Sequence, residues 1–145
     1  LGVNFGVHPS VLGYDFSDGK TTNRDGGFQP PEWEFSTSED PKKIYSLTQR
    51  SIAFIEKQSK SKNPFYLQLS HYAVHSNIQA TKRSLEKYEK KEKGKIHKNA
   101  YFAALTEDLD DSVGILLNKL QELGIANNTY VIYCSDNGAV PTLPP

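Results

Sequence analysis

The sequence has no methionine, one cysteine (Cys134) and one tryptophan (Trp33) among its 145 residues. A single cysteine excludes an internal disulfide framework and any cysteine-rich zinc site. Charge of either sign is not in excess. The 17 Lys and Arg balance 17 Asp and Glu, and a formal charge of zero argues against a general nucleic-acid binder. Apolar residues make up only 37% of the chain and mean hydropathy is −0.59. No apolar run approaches the ~20 residues of a membrane span, and Leu1 opens onto no signal-peptide pattern. The length suits one domain or a piece of a larger one. The absence of methionine even at position 1 points to a fragment or a processed chain.

What is present falls into a loop-rich stretch and four periodic ones. Residues 1–39 are rich in Gly, Pro, Asn, Asp and Ser, with Gly26-Gly27 and Pro30-Pro31 as breakers. A stretch this long without periodicity is unusual in a compact domain and is often functional. Asp40-Pro41 then pairs a helix-capping carboxylate with a proline suited to the first helical position. Ile44, Leu47, Ser51, Phe54 and Ile55 follow at helical spacing and predict a helix over about 41–59. Lys62-Asn63-Pro64 ends it, and Phe65 through Ser70 reads as a buried strand. Leu105, Leu109, Val113, Leu116, Leu117 and Leu120 form one apolar stripe of a helix near 100–122. Gly124 sits where a C-terminal cap belongs. Thr129 through Cys134, β-branched and aromatic, reads as a second short buried strand.

Helix–strand–helix–strand order with near-continuous apolar strands predicts an α/β architecture, a mostly parallel sheet flanked by helices. In such sheets ligands bind beyond the carboxyl ends of the strands. His71-Tyr72-Ala73-Val74-His75 follows the first predicted strand, and Ser135-Asp136-Asn137-Gly138 follows the second. Parallel pairing would place both clusters on one edge, with the His75 and Asp136 side chains within roughly 10 Å, two strand spacings of ~4.8 Å. There a carboxylate and an amide oxygen suit a hard divalent cation. An adjacent imidazole suits hydrogen bonding to an anion or proton transfer. Each cluster also has a plain structural reading: Asp-Asn-Gly is a common turn, and a histidine after a strand is often a solvated loop residue.

At these residues the chain resembles the sulfatase family of the alkaline-phosphatase-like superfamily. The resemblance runs from Pro64-Phe65-Tyr66-Leu67 into His71 through His75, continues over Tyr101 to Gly114 with Asp110, and ends with Asn128 through Tyr133 entering Ser135-Asp136-Asn137-Gly138. It extends more loosely to Gly13-Tyr14-Asp15 and Thr21-Thr22-Asn23. The resemblance implies part of an alkaline-phosphatase-like sandwich, with residues 1–39 as a loop-rich active-site insert and 40–145 as a helix–strand–helix–strand core. It implies that Asp136 and Asn137 are metal ligands, to calcium or alternatively magnesium, and that His75 is the catalytic histidine contacting the sulfate group. His71 is implied only as a supporting or structural residue.

The family nucleophile is a formylglycine made within a Cys/Ser-x-Pro/Ala-x-Arg motif, which residues 1–145 do not contain. Leu1-Gly2 matches the end of a family Lys-Trp-His-Leu-Gly motif, and a further active-site lysine is expected beyond Pro145. The resemblance therefore implies a central segment of a sulfuric ester hydrolase, inactive alone and dependent on the rest of the parent chain. Its implied substrate is a sulfated small molecule or sulfated carbohydrate, and its implied location is periplasmic, secreted or lysosomal. The alternatives are a non-catalytic sulfatase-like binding protein and a phosphoesterase of the same superfamily. Two-metal phosphoesterases typically carry Asp-His-Gly at the second cluster, and imidazole suits zinc whereas the amide of Asn137 suits a hard cation.

Residues 82–98 hold Lys82, Arg83, Lys87, Lys90, Lys91, Lys93, Lys95 and Lys98 against Glu86, Glu89 and Glu92. Mixed signs predict a solvated helix or lid, with polyanion binding as the alternative; Tyr88 is the segment's one candidate for base stacking. Asn127-Asn128-Thr129 is a glycosylation sequon, relevant in a eukaryotic secretory protein. Trp33 suits a loop anchor or a sugar-stacking surface.

Overall fold

The computed structural model describes residues 8–17, 34–61, 63–75 and 77–138. Leu1-Gly2, Thr21-Thr22-Asn23, Gly26-Gly27, Pro30-Pro31, Trp33 and Lys62 lie outside the described residues. The elements, in order, are a 3-10 turn at Pro9–Leu12, strand β1 (Phe35–Thr37), a 3-10 turn at Pro41–Lys43 and helix α1 (Ile44–Ser59). Strand β2 (Ile78–Ala80), helix α2 (Lys82–Lys90), helix α3 (Ala100–Glu122) and a 3-10 turn at Ala126–Asn128 complete them. β1 and β2 pair in parallel, with Phe35 opposite Ile78, Ser36 opposite Gln79 and Thr37 opposite Ala80. Parallel neighbours need a crossover, and α1 lies within it. The chain is α/β.

The paired strands are not the expected ones. Residues 65–70 and 129–134 form no strand, so the parallel pairing expected between them is absent. In the second run Tyr130 is 99% exposed and Ile132 87%, where burial was expected. Strand propensity is a fit to a half-buried pleated surface, and it makes no strand where no neighbouring strand is met. The pairing that does form uses two three-residue strands, one of them inside the stretch read as loop.

α3 begins where expected, with the Asn99 side chain accepting the Phe102 N–H at 3.0 Å. Its buried face carries Ala104, Leu105, Asp108, Leu109, Ser112 and Leu120. The apolar stripe is thus deepest over the first half, while Leu117 is exposed. At the other end Gly124 adopts φ +69. Its N–H reaches the Gln121 carbonyl at 2.9 Å, and the Ile125 N–H reaches that of Leu120 at 3.1 Å. These two bonds are the Schellman ending that a left-handed glycine permits.

α1 starts later than predicted. Lys42 and Lys43 take positive φ, 52 and 58, which delays the regular helix to Ile44. Asp40 still acts as a cap: its Oδ1 accepts the N–H groups of Tyr45 at 2.8 Å and Ser46 at 3.2 Å. The packed centre joins one residue from each of two elements to two from α3: Ile44, Ile78, Leu105 and Leu109. Burial of side chains such as Ile44, Ile78 and Leu105 stabilises by roughly 2 kcal/mol each. Ala80, Leu85 and Ala104 extend the packing beneath α2.

Candidate functional site

His75 lies in the loop that enters β2, not at the end of a strand over 65–70. Its backbone N–H donates to the Tyr72 carbonyl at 2.9 Å, closing a turn. Three residues later the chain is fixed. The Ile78 N–H donates to the Glu34 carbonyl at 2.9 Å, and Asn77 Nδ2 donates to Glu34 Oε2 at 3.0 Å. Ile78 itself is fully buried, and Ala73 and Val74 pack against the same core. The His75 side chain is therefore presented at the surface by a turn anchored on both sides.

His71, at the start of this turn, is different. It is half-buried, and both ring nitrogens and the Tyr72 hydroxyl are enclosed without a hydrogen-bond partner among the described residues. Burial of the ring disfavours its charged form and lowers its pKa from the ordinary 6.5. Two consecutive residues with enclosed, unsatisfied polar side-chain atoms mark a place where a polar group from elsewhere would be stabilised.

Asp136 and Asn137 sit in a short exposed turn after residues 130–135. The Ser135 hydroxyl donates to the Asn137 carbonyl and holds that turn. A carboxylate and an amide oxygen on adjacent residues fit a hard cation of the calcium or magnesium type, but supply only part of a shell of six to eight oxygens. Among the described residues, no three His, Cys, Asp or Glu side chains gather into a metal-binding group. The strand pairing that was to bring Asp136 and His75 to one edge is absent.

Among the described residues the buried carboxylate is Asp108, two residues before the Asp110 singled out by sequence. Fully buried on α3, it accepts the Thr81 N–H at 2.7 Å, the Thr81 hydroxyl at 2.9 Å and the Ser84 hydroxyl at 2.6 Å. The Tyr45 hydroxyl adds a longer bond at 3.2 Å. Burial, and then the Asp108 charge, push the Tyr45 phenol up to about 12. Asp108 could have been noticed as an acid three residues after Leu105, inside the apolar stripe. Asp110 instead lines an open cleft of about 710 Å³ with Glu39, Tyr45, Lys82, Arg83 and Asp111. His75, Asp136 and Asn137 do not line that cleft.

Comparison with known proteins adds a separate line. The sulfatase family profile matches residues 9–142. The N-acetylgalactosamine-6-sulfatase of Mus musculus is 38% identical over 92 residues, 63% of this chain and 16% of that protein. A sulfatase of Formosa agariphila is 38% identical over 96 residues, 60% of the chain and 17% of that protein. Arylsulfatase J of Mus musculus is 30% identical over 134 residues, 92% of the chain and 20% of that protein. The chain spans about a fifth or less of the length of these relatives.

Proposed function

The chain belongs to the sulfatase family, and from that premise we propose that the protein containing it hydrolyses sulfate esters. The observation that carries this is the match across residues 9–142, within which lie His75, Asp136 and Asn137. The relatives named for N-acetylgalactosamine-6-sulfate chemistry support a sulfated carbohydrate as the substrate class.

Asp136 and Asn137 would provide two oxygen ligands to calcium, or alternatively magnesium. Their exposure on a short turn leaves both side chains open to a ligand. His75 would donate a ring N–H to the sulfate ester and hold a proton near the departing oxygen. The backbone bonds at His75 and Ile78 fix the main chain that carries that ring. A formylglycine, for which residues 1–145 hold no motif, would supply the attacking oxygen, and a cation held by Asp136 and Asn137 would supply counter-charge for the sulfuryl oxygens. The loop and turn of this segment therefore bind and orient; attack depends on groups elsewhere.

Asn137 favours this reading over a phosphoesterase, whose second metal would call for an imidazole at that position. The test is turnover of an aryl sulfate by the whole protein and by His75→Ala. The variant should lose about 10²–10³-fold in kcat with a smaller change in KM. Faster cleavage of an aryl phosphate by the wild type would support the phosphoesterase instead. Binding of a sulfated sugar without turnover would support a non-catalytic binding protein.

A further inference from the structure

The basic segment over 82–98 divides into two halves of different character. In α2 the charges are used within the fold. Lys82 lies 3.9 Å from Glu86, Arg83 pairs with Asp111, and Lys87 lies 2.6 Å from Glu107. Two of these three pairs tie α2 to α3. Beyond the middle of α2 the pattern stops. Lys90, Lys91, Lys93, Lys95 and Lys98 are all exposed, and Glu92 is the one acid among residues 90–98, with Glu89 just upstream. Among the described residues Lys90, Lys93, Lys95 and Lys98 make no ion pair. In a chain with no net charge overall, a dense unpaired positive stretch is local.

We propose that the end of α2 and the loop after it, carrying Lys90, Lys93, Lys95 and Lys98, form a docking surface for a sulfated polysaccharide chain, the polymer whose sulfate esters the protein cleaves. This rests on the sulfatase reading and adds a contact outside the reacting centre. Lysine ammonium groups are compact charges that meet sulfate groups without a fixed fork geometry. Neutralising several sulfates at once releases their counterions and makes binding strongly salt-dependent. A single-stranded nucleic acid would need aromatic faces for its bases. Tyr88 is the one Phe, Tyr or Trp in 82–98, with His97 the one imidazole, and Lys87 and Lys91 already sit 5.5 Å from the Tyr88 centroid. The surface offers five lysines in nine residues against a single imidazole among residues 90–98.

The experiment compares the whole protein with a variant combining Lys90→Gln, Lys93→Gln, Lys95→Gln and Lys98→Gln. Dextran sulfate and neutral dextran serve as probes over a range of NaCl concentrations. The wild type should bind dextran sulfate and ignore dextran. The variant should lose about tenfold or more in affinity, with a shallower salt dependence, while melting temperature and aryl sulfate turnover stay unchanged. Equal dextran sulfate affinity in both proteins would overturn the proposal. So would tighter binding of a single-stranded DNA of matched charge. A wild type that binds dextran sulfate through these lysines but cleaves no sulfate ester would retain the docking surface and overturn the sulfatase reading alone.

Discussion

Asp108 and Thr81 are joined twice, through the backbone N–H of Thr81 at 2.7 Å and its hydroxyl at 2.9 Å. Thr81 is also the N-cap of α2, accepting the Ser84 N–H at 3.2 Å, and it directly follows β2. One carboxylate on α3 therefore fixes the end of β2 and the start of α2 together. The His75 turn enters that same strand at its other end.

Removing the carboxylate should be costly, because several donors would lose their acceptor while still enclosed. Asp108→Ala is expected to destabilise the protein by about 3 kcal/mol or more, as hydrogen bonds to a charged group contribute ~1.5–3 kcal/mol each. Tyr45→Phe, which removes only the 3.2 Å bond, should cost about 1 kcal/mol. Urea unfolding measures both, and near-equal values for the two would contradict the arrangement.

His71 gives stability a pH dependence with a definite sign. Burial lowers its pKa below the ordinary 6.5. Below that value the unfolded chain binds the proton more readily than the folded one. Stability should therefore be fully present above about 6.5 and fall as pH drops through the lower folded value. Melting temperatures between pH 7.5 and pH 5 should show a shallower decline for His71→Leu than for the wild type. Parallel curves would assign the decline to other groups.

The run Tyr130-Val131-Ile132-Tyr133 is exposed at 99%, 56%, 87% and 72% in turn. Such a β-branched and aromatic stretch, unpaired, is a site for association between chains. Residues 1–145 alone should self-associate, and Ile132→Lys should reduce this. Light scattering that finds wild type and variant equally monomeric would contradict the expectation.

Helices were legible in the sequence where their pattern was long. The α3 stripe and Gly124 announce both the helix and its ending, since one face must be apolar and the terminal carbonyls need partners. Asp40 announced the start of α1, although positive φ at Lys42 and Lys43 moved the regular helix to Ile44. Strands were read less well. Phe65 through Ser70 and Thr129 through Cys134 have strand composition, yet pairing needs a neighbour, which composition does not provide. β1 and β2 have three residues each, too few to show a period. The turn at His71 through His75 and the turn at Asp136-Asn137 were legible as motifs, but the relation expected between them depended on the strands that did not pair.

Asp136 is proposed as a cation ligand of a sulfate ester hydrolase. Its most direct test is to measure bound calcium and magnesium, together with aryl sulfate turnover, in the whole protein and in Asp136→Ala. Loss of an anionic oxygen ligand should lower metal content and reduce kcat/KM by at least about 10²-fold, with the melting temperature of the metal-free forms unchanged. Unchanged metal content and unchanged turnover in Asp136→Ala would remove Asp136 from the cation site.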